Sequence, residues 1–152
     1  MNEQSVIRTT FVFHPPLDDA LAWNLNLEDL AQRIEQSFPE ASTKNEGELG
    51  PRPSATLSFE VQIADGVWLE GLATTSFEGM GSVMILGASA EEAAVFAAWL
   101  RDSVAPFPEL VEFSSELAMN NGDESVWRLP ESGSVEEIAE ALHRHLEAAD
   151  QL

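Results

Sequence analysis

Apolar and polar positions alternate from Ser5 to Phe13, with Ile7, Phe11 and Phe13 on one parity and Arg8, Thr10 and Val12 on the other. That period of two predicts a half-buried strand. His14-Pro15-Pro16 ends it, because a proline has no N–H to give to a ladder. Asp18 to Leu25 reads as a connector carrying Trp23. Asn26 is then a good N-cap for a helix to about Phe38, where Leu27, Leu30, Ala31, Ile34 and Phe38 form one apolar stripe and Pro39 closes the run. Residues 40–53 contain Gly47, Gly50, Pro51 and Pro53 with almost no apolar side chain, which predicts a long exposed loop.

The period returns to two from Thr56 to Ile63, with Leu57, Phe59, Val61 and Ile63 inward and Ser58, Glu60 and Gln62 outward. Asp65-Gly66 predicts a type I′ hairpin turn into a strand from Val67 to Thr75. Ser82 to Ala88 is a continuous apolar run, expected as a more buried strand that completes a three-stranded meander. Ser89 and Glu92 have capping-box spacing for a helix reaching about Ala105. This helix is apolar on most sides (Ala93, Phe96, Ala97, Leu100, widened by Val95 and Trp99), so it is either deeply packed or pressed against a second chain. Pro106 and Pro108 terminate it. Leu110 to Ala118 and Ser125 to Leu129, around Asn120-Asn121-Gly122-Asp123, predict a second hairpin. Ser134 and Glu137 open a last helix with Val135, Ile138, Leu142 and Leu146 inward. The expected architecture is a single α+β domain over 1–152: an antiparallel sheet of a meander plus a hairpin, three helices, and an extra N-terminal strand.

Charge changes what such a domain can bind. There are 27 acidic residues against 7 Lys and Arg, a formal charge of −20. Nucleic acid and anionic membrane surfaces are disfavoured, since both are bound through cationic side chains. A basic protein partner would be attracted and steered at long range. The absence of cysteine removes disulfides, thiolate metal sites and thiol nucleophiles. Met1-Asn2-Glu3-Gln4 has no basic segment leading into an apolar one, and no apolar run reaches membrane-spanning length, so a cytoplasmic location is expected.

The order from residue 26 onward (helix, meander, helix, hairpin, helix) resembles the class I type III secretion chaperones and the related YbjN-like proteins. Asp65-Gly66-Val67-Trp68-Leu69 stands where such proteins place their first hairpin. Val126-Trp127-Arg128-Leu129-Pro130, a polar turn and a capped helix ending Leu146-Glu147-Ala148-Ala149-Asp150 look like the YbjN-like C-terminal end. The N-terminal strand and the long segment after the first helix depart from that pattern. The resemblance implies a non-enzymatic protein that binds another polypeptide, often as a homodimer, with no catalytic residues to carry over.

Candidate chemistry is sparse. His143 and His145 are two apart, so on a helix they point about 200° away from each other and cannot share a metal; both are expected on the helix surface, with His145 flanking the apolar stripe. His14 with Asp18 and Asp19 is the one local meeting of an acid–base group with carboxylates, and its simpler reading is a proline-stiffened turn facing water. No serine stands in a nucleophile-elbow context, and Gly79-Met80-Gly81 precedes a strand, where a phosphate site wants a helix. No enzyme class, metal ligand or cofactor is expected. The outward strand positions offer a partner surface instead: Ser58, Glu60 and Gln62, then Trp68, Glu70 and Leu72, then Glu112, Ser114 and Glu116, the aromatic as anchor and the carboxylates for steering. The phase is ambiguous at Trp68, because Val67 and Leu69 compete for the core. Phe77 and Met80, in the glycine-flanked segment 76–81, are a second candidate contact.

Three functions follow in order of support. The first is a secretion-chaperone-like polypeptide binder, as a homodimer, using the acidic sheet face or the apolar helix from Ser89 on a basic or partly unfolded partner. The second is an immunity-type acidic inhibitor of a basic toxin such as a nuclease. The third is a small-molecule enzyme or ligand binder built on His14, Asp18 and Asp19.

Overall fold

The computed structural model describes residues 7–48, 55–77, 80–123, 125 and 127–150. Its centre is an antiparallel seven-stranded sheet in the order β2-β3-β4-β5-β1-β6-β7. The strands are β1 (Thr9–His14), β2 (Ser42–Glu48), β3 (Ala55–Ala64), β4 (Val67–Phe77), β5 (Met80–Ala88), β6 (Glu112–Ser115) and β7 (Trp127–Arg128). The helices are α1 (Leu27–Ser37), α2 (Ala90–Trp99), α3 (Glu116–Asn120) and α4 (Val135–Asp150). The fold is α+β, as the alternation of periods predicts.

Local signals start the helices. Asn26 accepts from the Asp29 N–H at the start of α1. At α2 the capping box is complete: Ser89 accepts from the Glu92 N–H, and the Glu92 carboxylate accepts from the Ser89 N–H. The helix from Ser89 continues past Trp99 through a π-helical turn, Leu100–Val104, before Ala105 caps it. Ser134 accepts from the Glu137 N–H at α4.

One face of the sheet carries the core. Cross-strand registers place Phe59, Gly71, Ile85, Phe11 and Ser115 in one row and Leu57, Ala73, Val83, Phe13 and Phe113 in the next. Over these lie Leu30 and Ile34 of α1, Phe96 of α2 and Leu142 of α4, all buried. Phe96 stacks on Phe59 and Phe38, with Trp99 set edge-on to Phe38. The apolar girth of α2 is explained by its position between the sheet and α4; Ala90, Ala93, Ala94, Phe96 and Ala97 are all buried within the chain. It leaves no broad apolar face for a second chain.

Gly71 has a specific place in this packing. It stands opposite Phe59, and a Cβ there would run into the Phe59 ring. The aromatic lies across the glycine and restores the buried area that the missing side chain would supply.

Three expectations need correction. Residues 42–48, expected as loop, form the edge strand β2 paired with β3, for example Lys44 opposite Ser58. An edge strand gains order from main-chain pairing and needs no apolar alternation, so its polar sequence hid it; of the rest of the expected loop, residues 40–41 lead into the strand and 49–53 lie outside the described residues. The expected strand over Leu110 to Ala118 is confined to β6, because the Ser115 hydroxyl caps the Ala118 N–H and turns the chain into the one-and-a-half-turn α3. That adds a fourth helix. The Asp65-Gly66 turn is not type I′: of the pair only Gly66 has positive φ, and a bulge between Gln62 and Ala64 takes up the register. Ser5 and Val6, expected to begin β1, lie outside the described residues.

Candidate functional site

The second face of the sheet is formed by the alternate residues of the same strands, and the described helices bury their apolar sides elsewhere. Trp68 is 45% exposed while Leu69 is 3% exposed, which settles the phase of β4 with Trp68, Glu70 and Leu72 outward. Across the strands Lys44, Ser58, Leu72, Met84, Val12 and Ser114 form one row. A neighbouring row runs Ser42, Glu60, Glu70, Leu86. The result is an apolar centre (Leu72, Met84, Val12, Leu86), all half-buried, with Trp68 at one end and carboxylates beside it.

Glu60 and Glu70 stand directly opposite each other across β3 and β4. Like charges in that position work against the sheet, and neither has an ion-pair partner among the described residues. A shallow concavity of about 390 Å³ opens between them, lined also by Ser42, Lys44, Ser58, Leu72 and Leu86. Lys44 at its rim lies 3.9 Å from Glu46, which also accepts from the Ser58 hydroxyl. This surface has an apolar floor and carboxylates with no paired cation among the described residues: it can take the aliphatic stem of a basic side chain and leave its charge against Glu60 or Glu70.

The other expected contact residues are placed differently. Glu112 has the outward parity, opposite His14, yet it is only 5% exposed; its Oε1 has no hydrogen-bond partner, and Arg128 Nη2 is 3.9 Å from its Oε2. It is therefore part of the packed end of the sheet and not a free carboxylate. Glu116 is exposed but belongs to the first turn of α3, where it favours the positive helix terminus. Met80 is half-buried at the start of β5, opposite Phe77, whose side chain lies outside the described residues. Met84, Leu86 and Val12 were not anticipated in this surface. The continuous apolar run from Ser82 hides which parity of β5 faces out.

His14 is not assembled into an acid–base centre. Its Nδ1 lies 2.7 Å from the Pro15 carbonyl oxygen, and it lines a 310 Å³ hollow with Leu17, Ala20 and Met80 that Asp18 and Asp19 do not line. Asp18 and Asp19 are exposed. No group of three or more His, Cys, Asp or Glu able to hold a metal occurs among the described residues. No helix among them is long and apolar enough to cross a membrane.

The two helix histidines differ sharply. His143 is exposed as expected, with Nε2 2.6 Å from Glu91 Oε1; that hydrogen bond holds the Glu91 carboxyl below its usual range. His145, expected at the surface, is fully buried. It sits edge-on between Phe113 and Trp127, at centroid distances of 5.0 and 4.8 Å. Its Nε2 is 2.8 Å from Ser115 Oγ, and its Nδ1 has no partner. Burial pushes its pKa down, partly opposed by the charge of Asp123. The signal missed is its spacing, one turn after Leu142 on the buried side.

No family model, curated protein or solved structure matches this chain. The resemblance to YbjN-like proteins and secretion chaperones accordingly rests on the order of elements and the C-terminal texture.

Proposed function

We propose that this chain is a non-enzymatic polypeptide-binding protein, secretion-chaperone-like in action, that holds a basic and partly apolar segment of another protein on the open face of its sheet. The observation that carries this reading is the Glu60–Glu70 pair, which has no ion-pair partner among the described residues, beside the half-buried strip of Leu72, Met84 and Val12. A cationic partner relieves the repulsion between the two carboxylates, and its apolar side chains cover the strip. Trp68 is the anchor at the start of β4. The net charge of −20 steers such a partner and works against nucleic acid. A second copy of the chain is a poorer occupant of this face, because two such surfaces would oppose their carboxylates.

The test uses a short peptide of alternating Lys and Leu, with a Glu–Leu peptide as control, followed by NMR and by Trp emission at two salt concentrations. The expected result is shifts at Trp68, Glu70, Leu72 and Met84 for the basic peptide only, weakening as salt rises. Shifts confined to the helical side, or equal responses to both peptides, would refute the reading. The same charge supports a second reading, an immunity-type inhibitor of a basic toxin such as a nuclease. It differs in requiring a folded partner: low-salt capture of one stable basic protein, with no response to the extended peptide, selects it. Light scattering over a wide concentration range decides whether a homodimer forms.

A further inference from the structure

The surroundings of His145 have a consequence independent of the open sheet face. An imidazole that takes a second proton needs acceptors at both nitrogens. The cage around His145 offers one, the Ser115 hydroxyl at 2.8 Å from Nε2, and that oxygen already accepts the Ala118 N–H that caps α3. Nδ1 faces no acceptor among the described residues and is buried between aromatic rings. A charged ring here would carry an N–H with nothing to bond and would be held away from water.

The charged groups on the surrounding elements give little relief. Asp123, in the connection between α3 and β7, is the carboxylate that acts on the ring, but its oxygens accept from the Ser125 N–H and the Trp127 indole N–H. On α2, Glu91 is taken by His143 and Glu92 by Arg8. Arg128 of β7 lies on the opposite sheet face beside Glu112. Glu116 of α3, and Arg144 and Glu147 of α4, are exposed.

The rest of α4 is anchored at its other end. The buried Arg101 donates to the carbonyls of Pro130 and Gly133, just before the helix begins. Near His145 the further polar ties are Asn121 Nδ2 to the Ala149 carbonyl, at 2.9 Å, and His143 to Glu91 of α2. The helix is thus fixed at its start and pinned near its end by a side chain whose surroundings favour the neutral state. Beneath it lies α2, with Ala90, Ala93, Phe96 and Ala97 buried.

We infer that His145 is a proton-sensitive pin, and that its protonation lifts α4 from its anchored start and uncovers the apolar helix α2. A ring that is protonated only when α4 is off has a lower pKa in the closed state than in the open one, about 6.5. The closed state is therefore fully favoured above that value and loses ground as pH falls below it. His143, exposed on the same helix and hydrogen-bonded to Glu91, is the control position.

The experiment is amide hydrogen exchange of the full chain from pH 7.5 to 5, corrected for intrinsic rates, with wild type compared with His145→Gln and His143→Gln. Wild type should show an opening constant for α4 amides that rises about tenfold per pH unit below the open-state pKa, while β3 and β4 amides stay protected. His145→Gln should remove that slope and His143→Gln should keep it. A pH-independent opening, an unchanged slope in His145→Gln, or parallel loss of protection in β3 and β4 would overturn the inference. If His145→Gln does not fold, the ring nitrogens of wild-type His145 decide by NMR: a titration near 6.5 with α4 still protected refutes the pin.

Discussion

The two faces of the sheet are made by the same strands, one residue out of phase, and they are built on opposite rules. On the covered face Phe11, Phe13, Phe59 and Phe113 are closed over by three helices. On the open face Leu72, Met84 and Val12 are only half-buried, and two glutamates oppose each other with no counter-ion among the described residues. The first face is what stability alone would produce. The second places like charges opposite each other, and that difference is the basis for proposing the open face as the partner surface.

The largest effect that should separate the faces is loss of a core ring. Phe59→Ala should cost about 3–5 kcal/mol in chemical denaturation; Leu72→Ser, on the other face of the neighbouring strand, should stay within about 1 kcal/mol. Equal losses would mean that the open face is part of the core. Next in size is Gly71→Ala, which drives a methyl into the Phe59 ring and should cost about 1–3 kcal/mol. In a Phe59→Leu background the cost should shrink, and an unchanged cost would place the strain elsewhere. The smallest effect carries the opposite sign. Glu70→Lys replaces the cross-strand repulsion with Glu60 by an attraction and should stabilise the chain by about 0.2–1 kcal/mol at low salt while weakening a basic peptide. A destabilised variant would mean that Glu60 and Glu70 are already satisfied.

Much of this comparison can be read along the chain. Leu57, Phe59 and Val61 against Ser58, Glu60 and Gln62 separate the faces of β3 without any coordinates, and Ser89 with Glu92 marks the start of α2. At Trp68 the pattern stalls, because Val67 and Leu69 are equally apolar and flank it. In β5 it is lost, since Val83, Met84, Ile85 and Leu86 are apolar on both faces. Glu112 was legible as outward but not as buried: parity reports the side of the sheet, and coverage at that end depends on segments far away in sequence.

What the chain determined by itself is whatever depends on neighbours within a turn or a pleat. That includes the α+β class, the capped helix starts, the inward residues of β3 and the acidic charge that selects among partners. Only the tertiary structure decided that residues 42–48 are an edge strand, that α2 is closed inside the chain beneath α4, and that His145 is enclosed by Phe113, Trp127 and Ser115. The reason is common to all three. Main-chain pairing at an edge and burial under a distant helix are supplied by residues tens of positions away, so they leave no periodic mark on the segment that receives them.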